Sequence, residues 1–126
     1  FEQTVDLFEK YAAQYRFDPM MLAAQGYQES RLDQDAKSHV GAIGVMQIMP
    51  ATGAELDVGN IRQVEPNIHA GTKYLDQLMT RYFKDAQFDE DDRPLFAFAA
   101  YNAGPGRIQQ MRAEATKRGL DPRSSR

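Results

Sequence analysis

The segment that begins at Asp18 constrains the fold of this chain most strongly. Asp18 and Pro19 pair a capping carboxylate with a proline at the first helical position, which is a start signal for a helix. Residues 20–27 are apolar nearly all round, which indicates a central, buried helix that ends near Ser30 or Leu32. Glu29 then lies at the C-terminal end of this helix. A carboxyl group in that position keeps its proton near neutral pH, because desolvation and the negative end of the helix dipole both disfavour its charged form.

Hydrophobic spacing predicts further helices on both sides of this segment. Over residues 2–16, spacings of three and four place Val5, Phe8, Ala12 and Tyr15 on one helical face. A longer helix begins around Pro66 and keeps its apolar period to about residue 83. With no alternating strand pattern longer than a few residues, the sequence predicts an all-α fold.

The connections are predicted from polar and glycine-containing stretches. Residues 33–44 read as a loop, and a very short hairpin over residues 38–48 stays open. Thr52 and Glu55 have the spacing of a capping box for a short helix that ends at Gly59. Residues 84–93 are predicted to be a solvated acidic connection, followed by a short apolar helix over 95–101, a break over 102–106 and a last helix over 107–118 that Gly119 caps.

Composition excludes several classes of function. A chain of 126 residues is expected to form one domain, and its net charge of −3 without a basic stripe argues against nucleic-acid binding. There is no cysteine, and the two histidines, His39 and His69, fit no compact metal-ligand spacing, so neither a metal nor a cofactor is expected. No apolar run is long enough to span a bilayer, so direct membrane insertion is not expected either. Any targeting segment would lie outside this sequence.

Four motifs resemble, in the same order, those of the lytic transglycosylase family with a goose-type-lysozyme-like domain. They are QES at 28–30, KSHVGA at 37–42 leading into GVMQIMP at 44–50, NIHAGTKYL at 67–75 and AYNAGPG at 100–106. Each motif is weak alone, but the ordered set covers most of the chain. With Tyr27 included, the first motif resembles that of the membrane-bound branch of the family. In that branch the catalytic domain follows a solute-binding-like module.

The resemblance implies a lysozyme-like all-α fold and cleavage of peptidoglycan. The bond cleaved is the β-1,4 link between N-acetylmuramic acid and N-acetylglucosamine, and the product carries a 1,6-anhydro ring. Glu29 is implied as the single catalytic carboxyl group, first a general acid toward the glycosidic oxygen and then a general base toward the muramic 6-hydroxyl. The substrate's N-acetyl group is implied to meet the positive charge at the anomeric carbon. A periplasmic or envelope location follows from this substrate class.

The resemblance also implies five substrate-binding residues, four of which have a structural alternative. Ser38 matches the loop serine of the family, although serine is also an ordinary turn residue. Gln47 and Met49 match positions that line the sugar subsites; Met49 has core packing as its alternative. Tyr101 is expected to contact Glu29 or the departing sugar, or else to be a core aromatic residue. Asn102 either binds substrate or satisfies backbone groups where its helix ends.

One departure from the family pattern concerns the C-terminus. Family domains continue past the AYNAGPG motif into a closing helix, which is expected to be missing here, so the chain is predicted to be an excised fragment, with other domains of a larger envelope protein as partners. Two alternatives to a transglycosylase stay open. One is a hydrolytic muramidase, for which Asp33, Asp35 and Glu65 are candidate second carboxylates; the other is a non-catalytic peptidoglycan-binding scaffold.

Overall fold

The computed structural model describes residues 2–83, 98–99 and 101–102. Contacts between Cα atoms group the chain into two compact units, Phe1–Tyr74 and Leu75–Arg126. Helices α1 (Glu2–Tyr15), α2 (Pro19–Ser30) and α3 (Pro50–Leu56) lie in the first unit, and the unit boundary falls within α4 (Val64–Phe83). In the described residues, extended pairing is limited to isolated antiparallel bridges of Ile43 with Lys37 and with Ile48. They lie where the sequence allowed a short hairpin.

Helix α2 begins and ends where the sequence predicts. The Asp18 side chain accepts a hydrogen bond from the Met20 N–H at 2.8 Å, and Pro19 occupies the first turn. At the other end, Arg31 adopts a left-handed conformation with φ of 56°, and its N–H is shared by the carbonyl groups of Gly26 and Tyr27. The capping signal that the sequence displays therefore sets the N-terminal end, whereas Arg31 ends the helix without the glycine that usually occupies such a position.

The expectation that α2 is buried all round is wrong. Only Leu22, Gln25 and Gly26 are buried on this helix, whereas the side chains of Met20 and Tyr27 are 77% and 57% exposed. The covered face lies around Gly26, where an added Cβ would come within 3.0 Å of Phe8 and 3.1 Å of Val45. Neighbours thus pack closely on one side of α2, and its other apolar side chains remain at the surface.

Helix α1 buries a stripe that differs partly from the predicted face. Phe8 and Ala12 are buried as expected, together with Leu7 and Tyr11, but Val5 is 37% exposed. The prediction for Val5 is therefore wrong. The buried stripe runs through adjacent pairs of residues one turn apart, and Val5 lies outside it.

Helix α3 also starts differently from the prediction. It begins at Pro50, and Met49 is its N-cap residue without a side-chain hydrogen bond. The predicted capping box is wrong because Thr52 already lies inside the first turn. The helix ends at Leu56, since Asp57 adopts a left-handed conformation with φ of 54° before Gly59 is reached.

Polar contacts join α1 to the first turns of α4. Glu65 accepts hydrogen bonds from the Lys10 ammonium at 2.7 Å and from the Tyr11 hydroxyl at 2.6 Å. The His69 ring stacks on Tyr11 with 4.5 Å between centroids, and its Nε2 lies 2.8 Å from the Tyr15 hydroxyl. His69 therefore belongs to a helix–helix contact.

Other predictions concern residues that the structure does not describe. The acidic connection over 84–93, most of the apolar helix over 95–101, the break over 102–106 and the last helix with its Gly119 cap lie outside the described residues, apart from residues 98–99 and 101–102, which are helical. The expectation of a single domain stays a prediction. None of the described helices is long and apolar enough to cross a membrane.

Candidate active site

Glu29 lies in the last turn of α2 and is half-buried. Its Oε1 accepts a hydrogen bond of 2.8 Å from Nε2 of Gln25, one helical turn earlier. Burial raises the pKa of Glu29 above its ordinary value, and the hydrogen bond from Gln25 acts in the opposite, weaker direction. The structure therefore gives this carboxyl group the environment of a proton donor.

The raised pKa of Glu29 predicts a cost in stability at neutral pH. The unfolded chain releases this proton near its ordinary pKa, whereas the folded chain holds it to higher pH, so stability falls as the pH rises between the two values. We expect Glu29→Gln, which removes the titration, to unfold at a higher temperature than the wild type at about pH 7, and at a similar temperature at about pH 3. Thermal unfolding followed by circular dichroism measures this difference. A variant that is less stable than the wild type at both pH values would contradict it.

The residue after Glu29 ties α2 to the loop that follows. The Ser30 hydroxyl donates to the Val45 carbonyl at 2.8 Å and to the Gly26 carbonyl at 3.2 Å, and it accepts from the Asp33 N–H at 3.1 Å. All these partners are backbone groups. Ser30 therefore fixes the helix end against the loop segment 44–50.

Asn67 holds the same loop segment from the other side. Its side chain is fully buried in the first turns of α4. Oδ1 accepts from the Met46 N–H at 2.8 Å, and Nδ2 donates to the carbonyl groups of Ile43 at 2.8 Å and Ile61 at 2.9 Å. One amide thus satisfies three backbone groups of two different loops.

Gly44 allows this anchor to form. Its φ is +79°, and an added Cβ would overlap the Asn67 amide and lie 2.7 Å from Nε2 of Gln34. A side chain at this position would therefore meet both a strained backbone conformation and a steric conflict.

We expect Gly44→Ala to lower the unfolding free energy by about 2 kcal/mol or more, because backbone strain and overlap with Asn67 add together. Gly41→Ala is a matched control. Gly41 also has a positive φ, of +99°, but an added Cβ would meet nothing within 4 Å. That variant should lose only about 1 kcal/mol of unfolding free energy, because the new side chain strains the backbone but meets no neighbour. Chemical denaturation of both variants measures the difference, and equal losses would show that the contact with Asn67 is unimportant.

Two of the three loop residues predicted to bind substrate, Gln47 and Met49, lie in the segment 44–50, and Ser38 precedes it in the same loop. Ser38 is half-buried, and its hydroxyl accepts from the Ala42 N–H at 3.0 Å, which closes a turn. Gln47, with a φ of 51°, donates from Nε2 to the carbonyl groups of Gly44 at 2.9 Å and Ala36 at 3.3 Å. Neither bond uses its amide oxygen.

The two methionines of the segment 44–50 differ in burial. Met46 is fully buried, and an added Cβ at Gly71 of α4 would lie 2.6 Å from it. Met49 is 41% exposed at the start of α3. It is therefore available to an outside ligand, as a subsite wall requires.

The two remaining predicted residues lie in the second unit. Tyr101 and Asn102 occupy a helical turn, where Tyr101 is half-buried and Asn102 is exposed. Their contact with Glu29 or with substrate stays a prediction.

Two residues of this site were not predicted from the sequence. Gln25 is a polar residue at spacing i−4 from Glu29 within an apolar stretch, and this spacing is a signal that was available. Asn67 is the first residue of the motif at 67–75. Its role depends on partners 6, 21 and 24 residues away, so no local pattern indicates it.

Comparison with known proteins supports this fold. The Transglycosylase SLT domain family matches residues 6–122. The crystal structure of the 70 kDa soluble lytic transglycosylase of Escherichia coli superposes with a TM-score of 0.67 at 33% identity, over 83% of this chain and 17% of that one. The predicted lysozyme-like all-α class is confirmed.

Curated relatives carry a more specific name. "Membrane-bound lytic murein transglycosylase F" of Desulfosudis oleivorans is 42% identical over 92% of this chain, and "Membrane-bound lytic murein transglycosylase F 1" of Alkalilimnicola ehrlichii is 39% identical over 91%. The chain spans about a quarter of the length of these relatives, 25% and 23%. The chain belongs to the Transglycosylase SLT domain family, and the predicted resemblance is confirmed.

Proposed function

We propose that this chain is the catalytic domain of a peptidoglycan lytic transglycosylase, which cleaves the β-1,4 bond between N-acetylmuramic acid and N-acetylglucosamine and leaves 1,6-anhydro ends. The observation that supports it most is the half-buried carboxyl group of Glu29, with its raised pKa, beside a loop anchored by Ser30 and Asn67. Family membership supplies the reaction type.

Glu29 carries both proton transfers in this proposal. In its neutral form it donates a proton to the glycosidic oxygen as the bond to the anomeric carbon breaks. The resulting carboxylate then takes the proton of the muramic 6-hydroxyl while that oxygen bonds to the same carbon. The two transfers return Glu29 to its starting protonation state, and no water enters the product.

A single carboxyl group is enough for this route, and the contacts of the other candidates fit that view. Glu65 is paired with Lys10 and bonded to Tyr11, and the hydrogen bond from Lys10 lowers the pKa of Glu65. Asp33 accepts the Asp35 N–H at 2.9 Å and so belongs to a local turn. Most hydrolytic glycosidases use a second carboxylate, as a general base toward water or as a nucleophile.

Substrate contacts are proposed for the loop and for the second unit. Three loop groups are proposed to line the sugar subsites: Ser38, the amide oxygen of Gln47 and the exposed Met49. Tyr101 and Asn102 keep the substrate-binding roles that the resemblance implies. The relatives' names support an envelope location and peptidoglycan strands as the partner. Further domains of a larger envelope protein are proposed as covalent partners, since the relatives are about four times as long.

Mass spectrometry of the muropeptides that this chain releases from purified sacculi tests the proposal. We expect fragments that lack one water relative to hydrolytic products, which marks anhydro ends. Glu55→Gln, a change at an exposed residue of α3, should release the same fragments. Reducing muramic ends would instead support the muramidase, and binding to sacculi without any release would support the scaffold; either result would refute the proposal.

A further inference from the structure

Gln25 is a buried amide directed at the proposed acid. Only 3% of Gln25 is exposed, and its Nε2 lies 2.8 Å from Oε1 of Glu29. We infer that Gln25 is a positioning residue for Glu29, which holds Oε1 in place and leaves Oε2 as the oxygen that carries the transferable proton. This inference rests on the proposed function, because it specifies how the same acid is aimed.

The direction of the hydrogen bond assigns the two carboxyl oxygens. An amide nitrogen only donates, so Oε1 must accept, and a proton placed on Oε1 would face the amide hydrogens. In neutral Glu29 the proton therefore sits on Oε2. The glycosidic oxygen must approach that atom for proton transfer.

Burial restricts the motion of the Gln25 amide. A glutamate side chain has several rotatable bonds, and an acid that samples many rotamers seldom faces its substrate. Gln25 lies on the covered face of α2 with Leu22 and Gly26, and the i, i+4 spacing places its amide beside Glu29 on the same side of the helix. The core thus restrains Gln25, and Gln25 in turn restrains Glu29.

The same contact also serves the second half of the proposed reaction. After proton donation Glu29 is a carboxylate, and a hydrogen bond to a charged acceptor is shorter and stronger than one to a neutral acceptor. Gln25 therefore keeps the Glu29 carboxylate in the position that its neutral form occupied, where it can take the proton of the 6-hydroxyl. Loss of this contact favours the neutral form and slows the step that needs the carboxylate.

Gln25→Met tests the inference, because methionine keeps the length and burial of the side chain and removes the donor. We expect the titration midpoint of the Glu29 carboxyl carbon, measured by NMR, to move to higher pH, since only the opposing effect of burial remains. The alkaline limb of the pH–rate profile should move in the same direction. We expect kcat to fall about tenfold with little change in KM.

Thr72→Val is the matched control for a lost buried hydrogen bond. Thr72 is fully buried and donates to the Ile68 carbonyl at 2.8 Å within α4. We expect this variant to lose stability without moving the titration of Glu29. Gln25→Asn, which withdraws the amide by one methylene, provides a second test if Gln25→Met does not fold.

The outcomes separate this inference from the proposed function. The NMR titration needs no turnover, so it reports on Gln25 even in a chain that releases no anhydro fragments. A Glu29 midpoint that stays in place or moves to lower pH in Gln25→Met overturns the inference. If the wild type still releases anhydro fragments in that case, the proposed function stands and only the positioning role fails.

Discussion

Replacing Glu29 by glutamine lowers the rate of muropeptide release from purified sacculi by about a thousandfold or more, because the variant has neither an acid nor a base at the scissile bond. Glutamine keeps the shape of the side chain and still offers Oε1 to Gln25. Binding to sacculi, measured by co-sedimentation, should therefore stay within about twofold of the wild type.

Glu55→Gln is the control for this prediction. Glu55 is an exposed glutamate on α3, and its replacement removes the same charge from the chain. We expect unchanged release and unchanged binding. If Glu29→Gln retained a substantial rate of release, or if Glu55→Gln lost as much activity, the role given to Glu29 would be refuted.

Replacing Asn67 by alanine should have the largest effect on stability. The change removes three hydrogen bonds in a fully buried place, with the Met46 N–H and with the carbonyl groups of Ile43 and Ile61. Both carbonyl groups keep a second hydrogen bond from elsewhere in the chain. Since each lost hydrogen bond costs about 0.5–1.5 kcal/mol and the missing amide leaves empty space, we expect a loss of about 3 kcal/mol. For a chain of this length that corresponds to a fall in Tm of roughly 10 °C.

Asn60→Ala is the control for the buried anchor. Asn60 is exposed and accepts one hydrogen bond, from the Arg62 N–H at 3.0 Å. Its replacement should cost about 1 kcal/mol or less, because water takes over the freed group. Calorimetry of the two variants compares them directly. A loss in Asn67→Ala as small as that in Asn60→Ala would show that Asn67 does not anchor the loop.

The sequence predicted those features that depend on near neighbours. The start of α2 follows from Asp18 and Pro19, and the structure confirms it together with the predicted end near Ser30. The prediction that this helix is buried on all sides was wrong. The elements that pack against a helix decide which of its apolar residues are covered. Met20 and Val5 are apolar, but no local signal shows that they remain at the surface.

The candidate site shows the same division. Glu29 was predicted from its motif and its position at a helix end, and the structure adds the burial and the contact with Gln25 that shift its pKa. Asn67 acts through backbone groups of two loops, and such long-range partners are absent from any window of sequence. The substrate-binding roles of all five predicted residues stay predictions, those of Tyr101 and Asn102 included.

The fate of water in the reaction tests the central claim most directly, since Glu29 is proposed to activate a hydroxyl group of the sugar rather than a water molecule. Digestion of sacculi in water enriched in the heavy isotope of oxygen, followed by mass spectrometry of the new muramic ends, measures this. We predict that the ends formed by this chain carry no heavy oxygen. Incorporation of one heavy oxygen atom at each new end would contradict the account.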